Sequence, residues 1–346
     1  MNTKTSQYKR QILRALSFGN ILSALEISII IEKSLPLTTR ILNELVTEGD
    51  IKESGYASST GGRRPLMYSL IAGRMYAVSV AMDQLVTKIG IIDLHKCDVE
   101  YFEKYDLVLR QNPDALTTLI DCIKKFIETT PVDKEKIIGV GIGMPGFVDV
   151  DKGINYSFLD NGGKSIAETI EAEIEIPVFI DNDSSLIALT ELKLGSVKDS
   201  KNAMVINLGW GVGLGLIING KMFRGNNGLA GEFSHIPLFE NNKLCGCGKS
   251  GCLETEASML VVLEKANEEL EKGRVSIIKQ ISGDFEKDST NIINAALKGD
   301  QLAVELLSET AYNIGRGIAI LIHIINPELV IISGRGALAG NMLLAP

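Results

Sequence analysis

The sequence lacks the apolar segments that would place it in a membrane or on a secretion route. No apolar stretch followed by a small-residue cleavage site stands at its amino end, and Gly, Pro, Asn or His interrupts each longer apolar stretch before it could span a bilayer. Of its 346 residues, 45% are hydrophobic and 23% are charged, as is typical of a globular protein with about two or three domains. These features predict a cytoplasmic protein.

Cysteine is also scarce in this chain. There are five cysteines, an odd number, and they are unevenly placed. That distribution argues against a disulfide framework, which needs paired cysteines along a short chain. Cys97 and Cys122 stand alone, and we expect both to be thiols buried in the core.

The other three cysteines lie together in the segment CGCGKSGC. His235 precedes Cys245 by ten residues, so this part of the chain offers three thiolates and one imidazole. Such a mixture forms a closed tetrahedral ligand set typical of structural zinc. We therefore predict a zinc site made of His235, Cys245, Cys247 and Cys252. The alternative is a loop of reduced cysteines.

The charge of the chain is unevenly distributed. The formal net charge is −8, yet residues 1–75 carry ten basic and six acidic side chains, a local net of +4 that leaves −12 for the remainder. An acidic body would be repelled by nucleic acid, whereas a basic amino-terminal module can bind phosphates. The imbalance indicates that any contact with DNA lies near the amino end.

That amino-terminal module has the pattern of three short helices. The first, YKRQILRALSF, places Ile12, Leu13 and Leu16 on one face and ends at Gly19. The second, within NILSALEISIII, is predicted to begin after Asn20, because asparagine is a favourable N-cap.

The third helix, LPLTTRILNELVTEG, carries the side chains expected to meet DNA. Ser34 is predicted to cap it, Gly49 to end it, and four residues to form its buried stripe: Leu37, Ile41, Leu42 and Leu45. The polar residues expected off that stripe are Thr38, Thr39, Arg40 and Asn43. Two helices joined by a tight turn, the second exposing polar and cationic groups, form the helix-turn-helix that reads a major groove. The alternative is a three-helix bundle with a solvated face.

A polar hairpin follows the third helix. The segment DIKESGYASSTGGRRPLMYSL reads as a strand, a flexible loop and a second strand, with Gly61, Gly62, Arg63, Arg64 and Pro65 at the tip. Two adjacent guanidinium groups on a glycine-containing loop suit phosphate contacts or insertion into a narrow minor groove. The pattern predicts a wing that contacts DNA through Arg63 and Arg64, and the alternative is a solvated hairpin.

The rest of the chain alternates strands and helices and contains an apparent duplication. A strand–turn–strand pattern occurs at residues 76–93, YAVSVAMDQLVTKIGIID, and again at residues 203–220, AMVINLGWGVGLGLIING. Two copies of this strand–turn–strand pattern predict two α/β lobes around a cleft, where ligands usually bind.

The order of several motifs resembles the ROK family of repressors and sugar kinases. The helix-turn-helix is followed by GGRRP, GIGMPG, DND, GEFSH, CGCGKSGC with LE after it, and VIISGRG. The resemblance covers nearly the whole chain and implies an actin-like, hexokinase-type fold of two ribonuclease-H-like lobes, with a sugar cleft between them and a structural zinc beside it. It also implies a sugar site made of Asn182, Asp183, Glu232, His235 and Glu254.

These five residues suit a sugar, whose hydroxyls both donate and accept hydrogen bonds. If one ring nitrogen of His235 binds zinc, the other becomes an N–H donor with a fixed direction. Asp183, which matches the base of the family's kinases, would then only bind a hydroxyl. The alternative for Asp183 and Glu232 is a pair of loop caps. Ser234 stands where the family usually has glycine, so the pocket is expected to be narrower or to gain a hydroxyl.

Kinases of this family need two phosphate loops, one from each copy of the hairpin. The second copy, NLGWGVGLG, keeps its glycines, although Trp210 stands where the family's kinases usually have threonine. The first copy, AMDQLVTK, lacks the glycine pair in either possible register, since Asp83 and Gln84 or Leu85 and Val86 occupy it. Neither register lets the backbone approach a phosphate, so we expect no kinase activity.

We predict three domains: a winged helix-turn-helix at 1–72, a first lobe at 73–198, and a second lobe at 199–346 that is shorter than is usual in the family. The predicted function is a sugar-responsive repressor of carbohydrate-utilisation genes. It would bind operator DNA as a dimer, and a sugar or sugar phosphate in the cleft would release it. The alternatives are an ATP-dependent sugar kinase with a DNA-binding appendage and a repressor controlled by a protein partner.

Overall fold

The computed structural model describes residues 3–58, 64–226 and 228–346. The chain divides into two compact units. The first unit comprises Met1–Gly146 and Lys152–Asp181, and the second comprises Phe147–Asp151 and Asn182–Pro346. The amino-terminal helices therefore belong to the same unit as the first α/β sheet, and the three domain boundaries set from the sequence remain a prediction.

The first unit begins with the three expected helices and a small antiparallel sheet of strand order β1-β3-β2. The elements are α1 (Thr3–Gly19), β1 (Ile21–Ser23), α2 (Ala24–Ile30), α3 (Leu35–Glu48), β2 (Ile51–Tyr56) and β3 (Leu66–Leu70). Apolar side chains from all three helices and from β2 and β3 form one buried cluster. The predicted wing tip falls mostly on residues 59–63, so Gly61, Gly62 and Arg63 lie outside the described residues, whereas Arg64 is described and exposed.

Two details of these helices differ from the sequence prediction. Asn20 does not cap α2, because β1 intervenes and Ser23 forms a capping box with Glu26 instead. Thr38 was expected off the buried stripe, but it is completely buried, and its hydroxyl donates to the carbonyl oxygen of Ser34 at 3.1 Å. Thr38 is therefore a packing residue and is withdrawn from the DNA-contact set. The stop at Gly49 is confirmed by its left-handed φ of 75°.

The remainder of the first unit is an α/β sheet with strand order β10-β7-β4-β5-β6. The elements are β4 (Tyr76–Met82), β5 (Val86–Asp93), β6 (Asp98–Asp106), α4 (Ala115–Thr129), β7 (Ile137–Met144), the short strands β8 (Val148–Asp149) and β9 (Ile154–Asn155), α5 (Ile166–Ile174) and β10 (Val178–Asn182), with β8 assigned to the second unit. Cys97 and Cys122 are both half-buried, so the expectation that they are core thiols is wrong.

The second unit contains a four-stranded sheet of order β13-β12-β11-β14. Its elements are α6 (Asp183–Lys193), β11 (Ala203–Leu208), β12 (Val212–Ile218), β13 (Lys221–Phe223), α7 (Glu254–Ala257), α8 (Met259–Glu271), α9 (Phe285–Leu297), α10 (Gln301–Ile325), β14 (Leu329–Ser333) and α11 (Asn341–Leu344). Short 3₁₀ turns lie at Phe233–His235 and Arg335–Ala339, and another in the first unit at Lys134–Lys136.

The two larger sheets start in the same way. In the first, β4 pairs antiparallel with β5 and parallel with β7; in the second, β11 pairs antiparallel with β12 and parallel with β14. This shared order confirms the α/β class and the duplication predicted from the two hairpin sequences. None of the described helices combines the length and apolarity that crossing a bilayer requires.

Candidate metal centre and acidic cluster

The four predicted zinc ligands lie together in the second unit. The ligand atoms of His235, Cys245, Cys247 and Cys252 all fall within 4.8 Å of one another. Cys247 Sγ is 3.6 Å from Cys252 Sγ, and His235 Nδ1 is 3.4 Å from Cys245 Sγ. Sulfur atoms bound to one tetrahedral zinc ion stand about 3.8 Å apart, because each Zn–S bond is about 2.3 Å long. The cluster therefore has the dimensions of a metal site.

The backbone around the cluster is shaped by glycines. The N–H of Cys245 donates to the Lys249 carbonyl at 2.8 Å, and the N–H of Gly248 donates back to the Cys245 carbonyl at 2.9 Å. Gly251 has a φ of 74°, and a β-carbon there would stand 1.9 Å from the carbonyl oxygen of Phe239. Only glycine fits at position 251, next to Cys252, and the tight turns of this segment bring the three thiols together.

The two buried thiols, Cys245 and Cys252, need a cation to be held as thiolates. Burial, together with hydrogen bonds in which the Cys252 thiol is the donor to Cys247 and Cys245, raises the pKa of Cys252 to about 12. Burial also raises the pKa of Cys245. A bound divalent metal reverses this balance, since a coordinating thiol loses its proton outright.

His235 faces the thiols with one ring nitrogen and a carboxylate with the other. Its Nδ1 points to Cys245, while Nε2 lies 3.9 Å from Glu232 Oε2. Its ring also packs against Phe147, with centroids 5.3 Å apart. Burial lowers the pKa of His235, which favours the neutral imidazole that binds metals. With Nδ1 on a metal, Nε2 would carry the proton and donate toward Glu232.

Three carboxylates predicted to bind a sugar come close to one another in the second unit. Asp183 is the first residue of α6, Glu232 precedes the 3₁₀ turn, and Glu254 is the first residue of α7. Burial, followed by the negative charges of Glu254 and Asp183, raises the pKa of Glu232 to about 7. Such mutual repulsion among half-buried carboxylates is typical of a ligand site, because a folding core gains nothing from it.

The side chains of Asn182 and Asp183 also accept hydrogen bonds at the amino end of α6. The side-chain oxygen of Asn182 accepts the N–H groups of Ser184 and Ser185 and so caps α6. Asn182 can therefore offer a sugar only its amide N–H donors. One oxygen of Asp183 accepts the N–H and hydroxyl of Ser184 at 2.7 and 3.1 Å. Ser234, the departure from the family pattern, is 4% exposed.

The glycine-rich hairpin β11–β12 packs against α6 and the acidic cluster. A β-carbon at Gly213 would stand 1.9 Å from Ser184 Oγ, and one at Gly215 would stand 2.2 Å from the β-carbon of Ala188. A β-carbon at Gly211 would stand 2.8 Å from Glu254 Oε2. Gly213 and Gly215 are thus required by close packing within this unit, whether or not a phosphate binds.

Trp210, at the tip of this hairpin, was noted in the sequence only as a departure from kinases. Its ring packs against Phe285 at the start of α9, with centroids 5.8 Å apart. Its indole N–H is buried and has no hydrogen-bond partner among the described residues. The partner Phe285 carried no signal in the sequence, because the contact joins positions 75 residues apart.

The turn of the first hairpin, β4–β5, already satisfies its own backbone donors. The Asp83 carboxylate accepts the N–H groups of Leu85 and Val86, both at 2.7 Å. In a phosphate loop such N–H groups would point at the ligand instead. A carboxylate in this position also repels an approaching phosphate.

The described DNA-contact candidates lie on α3 and on the hairpin that follows it. Arg40, Asn43 and Arg64 are exposed. Thr39 is half-buried, and its hydroxyl donates to the Leu35 carbonyl at 2.9 Å. The structure also exposes Thr47 on the outward side of α3, a residue that the sequence pattern did not single out.

Comparisons with known proteins agree with this geometry. The sequence profile of the ROK family matches residues 81–345. The chain belongs to the ROK family. The actin-like, hexokinase-type fold expected for a ROK protein is confirmed by a solved ROK family transcriptional regulator, described as a homologue of the E. coli MLC protein. It covers 99% of this chain and 86% of its own, with a TM-score of 0.78 and 25% identity.

Curated relatives of this ROK chain include regulators and enzymes. A xylose repressor from Caldicellulosiruptor bescii is 29% identical over 97% of this chain and 85% of its own length. A glucokinase from Halalkalibacterium halodurans is 34% identical over 71% of this chain and 77% of its own length. At 97% of the chain, the repressor match must include most of the amino-terminal helices.

Proposed function

We propose that this ROK protein is a sugar-responsive transcriptional repressor of carbohydrate-utilisation genes. The observation that carries this proposal is the extent of the repressor match, 97% of the chain, over a segment that folds as three helices and a β-hairpin. The segment is basic while the body is acidic, as expected when only the amino end approaches DNA. We infer a dimer in the cytoplasm, with a winged domain at 1–72 and two lobes at 73–198 and 199–346.

The effector would be a sugar or sugar phosphate bound by the acidic cluster. Asp183, Glu232 and Glu254 supply acceptors, and Asn182 supplies amide N–H donors. The proton on His235 Nε2 would serve as a further donor whose direction is set from the metal side. Zinc is the ion that this donor set suits best, since three thiolates and one imidazole within 4.8 Å leave no position for water.

DNA recognition would use the exposed side of α3 together with the wing. The candidates are Thr39, Arg40, Asn43, Arg63 and Arg64. A basic wing supplies affinity that is independent of sequence, whereas helix side chains supply base discrimination. Arg63→Ala combined with Arg64→Ala is therefore expected to weaken operator binding and flatten its salt dependence, while Thr39→Ala is expected to change sequence preference more than affinity.

A sugar binder that does not turn over ATP is favoured over a working kinase. The Asp83 carboxylate already accepts the two N–H groups at the turn of the first hairpin, and Trp210 covers the tip of the second by packing on Phe285. The second candidate, an ATP-dependent sugar kinase, is favoured by the 34% identity to a glucokinase.

The sugar proposal can be tested with the protein's own fluorescence. Trp210 is the single tryptophan of the chain, and it adjoins Gly211, which lies against Glu254. A panel of sugars and sugar phosphates should include one that shifts the tryptophan emission and raises the melting temperature together. Glu254→Gln should remove both responses, whereas Glu240→Gln, an exposed carboxylate outside the cluster, should keep them. No response to any sugar in the panel would contradict the proposal.

The kinase candidate has its own assay. With the sugar found in that panel, a coupled assay should detect no sugar-dependent ATP turnover. Turnover that disappears on Asp183→Asn would establish the enzyme instead, because that substitution removes the only carboxylate matched to the family's base.

A further inference from the structure

Four charged side chains form a continuous row from α1 to the outward side of α3. Lys9 Nζ lies 2.5 Å from Glu48 Oε1 and 3.3 Å from Glu44 Oε2. The other oxygen of the same carboxylate, Glu44 Oε1, lies 3.8 Å from Arg40 Nε. Glu44 therefore binds Lys9 with one oxygen and faces Arg40 with the other.

The two ends of this row differ in burial. The Lys9 side chain is 12% exposed, whereas that of Arg40 is 63% exposed. The hydrogen bond that Lys9 donates to Glu48 raises the pKa of Lys9, so Lys9 stays charged. A half-buried charge that contacts two carboxylates is restricted in its movement, and it restricts Glu44 in turn.

The Arg40–Glu44 pair would not be well ordered without that anchor. An exposed pair of this kind is weak, and an Arg placed four residues before a Glu is the less favourable order along a helix. Lys9 offsets this weakness because its contact with Glu44 Oε2 restricts the carboxylate whose other oxygen faces Arg40. Packing between α1 and α3 thus places the Glu44 carboxylate on one side of the Arg40 guanidinium and favours orientations that face it.

Arg40 lies on the side of α3 that is proposed to face DNA. Arg40, Asn43 and Thr47 are exposed along one side of α3, and together with Glu44 and Glu48 they line a shallow groove. Arginine recognises guanine through two parallel hydrogen bonds, which require the guanidinium plane to be correctly oriented. A freely rotating arginine can contact a phosphate whatever the DNA sequence, and such a contact gives no base preference.

We propose that Glu44 is a positioning residue for base recognition: held by Lys9, it orients Arg40 for a two-hydrogen-bond contact with guanine. The inference rests on the proposed operator binding. Holding the side chain in one orientation before DNA arrives lowers the ordering cost of the correct contact, and it gives no advantage at a wrong base.

Because Glu44 is negatively charged, its positioning role can be distinguished experimentally from a loss of folding. A carboxylate near DNA repels phosphates, so Glu44→Gln is expected to leave affinity for unrelated DNA unchanged or higher. At the same time the preference for one base pair should fall. A variant that merely destabilised the helices would lose both kinds of binding.

The test uses the full-length protein and a duplex library of random sequence, sequenced after selection. Wild type should select a motif, and Arg40→Ala and Glu44→Gln should lower the preference at the same base pair, the latter by about three- to tenfold. Lys9→Met, which leaves Arg40 and Glu44 in place, should lower that same preference. Glu48→Gln is the comparison variant: Glu48 does not reach Arg40, and without its charge Lys9 still contacts Glu44, so the preference should fall less than with Glu44→Gln.

The outcomes separate the inference from the proposed function. A selective wild type whose base preferences are unchanged by Glu44→Gln overturns the role of Glu44 and leaves the repressor intact. An equal loss for Glu48→Gln and Glu44→Gln also overturns it, since the effect would then come from helix packing alone. A wild type that selects no motif overturns both. Anisotropy on a scrambled duplex and a melting curve for each variant complete the comparison.

Discussion

His235 and Glu232 connect the metal cluster to the acidic cluster, with Nε2 of the histidine 3.9 Å from Oε2 of the glutamate. The opposite ring nitrogen faces Cys245. An imidazole bound on one side and donating on the other has a single tautomer and a restricted orientation. Metal binding and sugar binding in this ROK protein are therefore expected to depend on each other.

The first prediction concerns that dependence. Purified protein should contain about one zinc ion per chain, because three thiols and an imidazole so close together form a complete ligand set. Cys247→Ser should lower the zinc content and the melting temperature, and it should also weaken binding of the sugar, since His235 would lose its fixed orientation.

Metal analysis and tryptophan fluorescence measure the two effects. Cys122→Ser is the matched control, because Cys122 lies in the first unit, outside the cluster. Protein that is free of zinc yet stable and able to bind the sugar would show that the cluster is a set of reduced cysteines.

The second prediction concerns the glycines of the hairpin β11–β12. Gly215→Ala should destabilise the second unit by about 1 to 3 kcal/mol, because the new methyl group would stand 2.2 Å from the fixed β-carbon of Ala188 and would force α6 outward. Gly315→Ala is the contrasting substitution. It lies on the exposed side of α10 with nothing within 4 Å of a β-carbon, so it should stabilise by up to about 1 kcal/mol.

Thermal unfolding without any ligand measures both substitutions. Equal melting temperatures for Gly215→Ala and wild type would mean that the hairpin glycines are not required by packing. Phosphate binding would then be the better explanation for the glycines of this hairpin.

The third prediction concerns pH and the start of α2. Hydrogen bonds from the backbone N–H and hydroxyl of Ser23 lower the pKa of Glu26 below its ordinary value of 4.5. A lowered pKa means that Glu26 stabilises α2 fully above pH 4.5 and that this contribution disappears as the pH falls through the folded-state value. Glu26→Gln should therefore loosen α2 at neutral pH and have little effect in acid.

Hydrogen exchange of the α2 amides, corrected for intrinsic rates at each pH, gives the comparison. Ser23→Ala should loosen the same amides by about 1 kcal/mol at neutral pH, because it removes the cap itself. A difference between Glu26→Gln and wild type that grew toward acid would contradict a lowered pKa for Glu26.

These results also indicate how far the sequence alone could lead. The clustering of the candidate metal ligands could be predicted because Cys245, Cys247 and Cys252 are close in sequence, so their spacing nearly determines their geometry. The duplication was visible because each copy begins with the same strand pattern. In both cases the information is local or repeated.

Other features depend on contacts between distant segments. Thr38 was misassigned because it is polar, although its spacing from Ile41 and Leu45 places it on the buried stripe; a threonine can be buried when its hydroxyl bonds to the preceding turn. Asn20 is a good cap in isolation, but the pairing of β1 with β3 moves the helix start to Ser23. The contact of Lys9 with Glu44 requires the packing of α1 on α3, which no local pattern encodes.

The last prediction concerns the switch. The residues proposed to bind the sugar belong to the second unit, whereas those proposed to bind DNA belong to the first. A sugar can lower operator affinity only by its difference in affinity for the two states of the protein, typically about 1 to 3 kcal/mol or roughly 5- to 150-fold. We expect the sugar to release the operator within that range.

Asp183→Ala and Glu232→Ala should yield repressors that stay on DNA at every sugar concentration, because they remove effector contacts and leave α3 and the wing unchanged. Fluorescence anisotropy of the selected operator, titrated with and without the sugar, measures the release. Glu240→Ala, outside the acidic cluster, should respond like wild type. If wild type binds the sugar and its dissociation constant for the operator does not change, sugar sensing is not the switch. Control by a protein partner then becomes the better explanation, because it leaves the DNA-binding segment in use and removes only the effector role of the cluster.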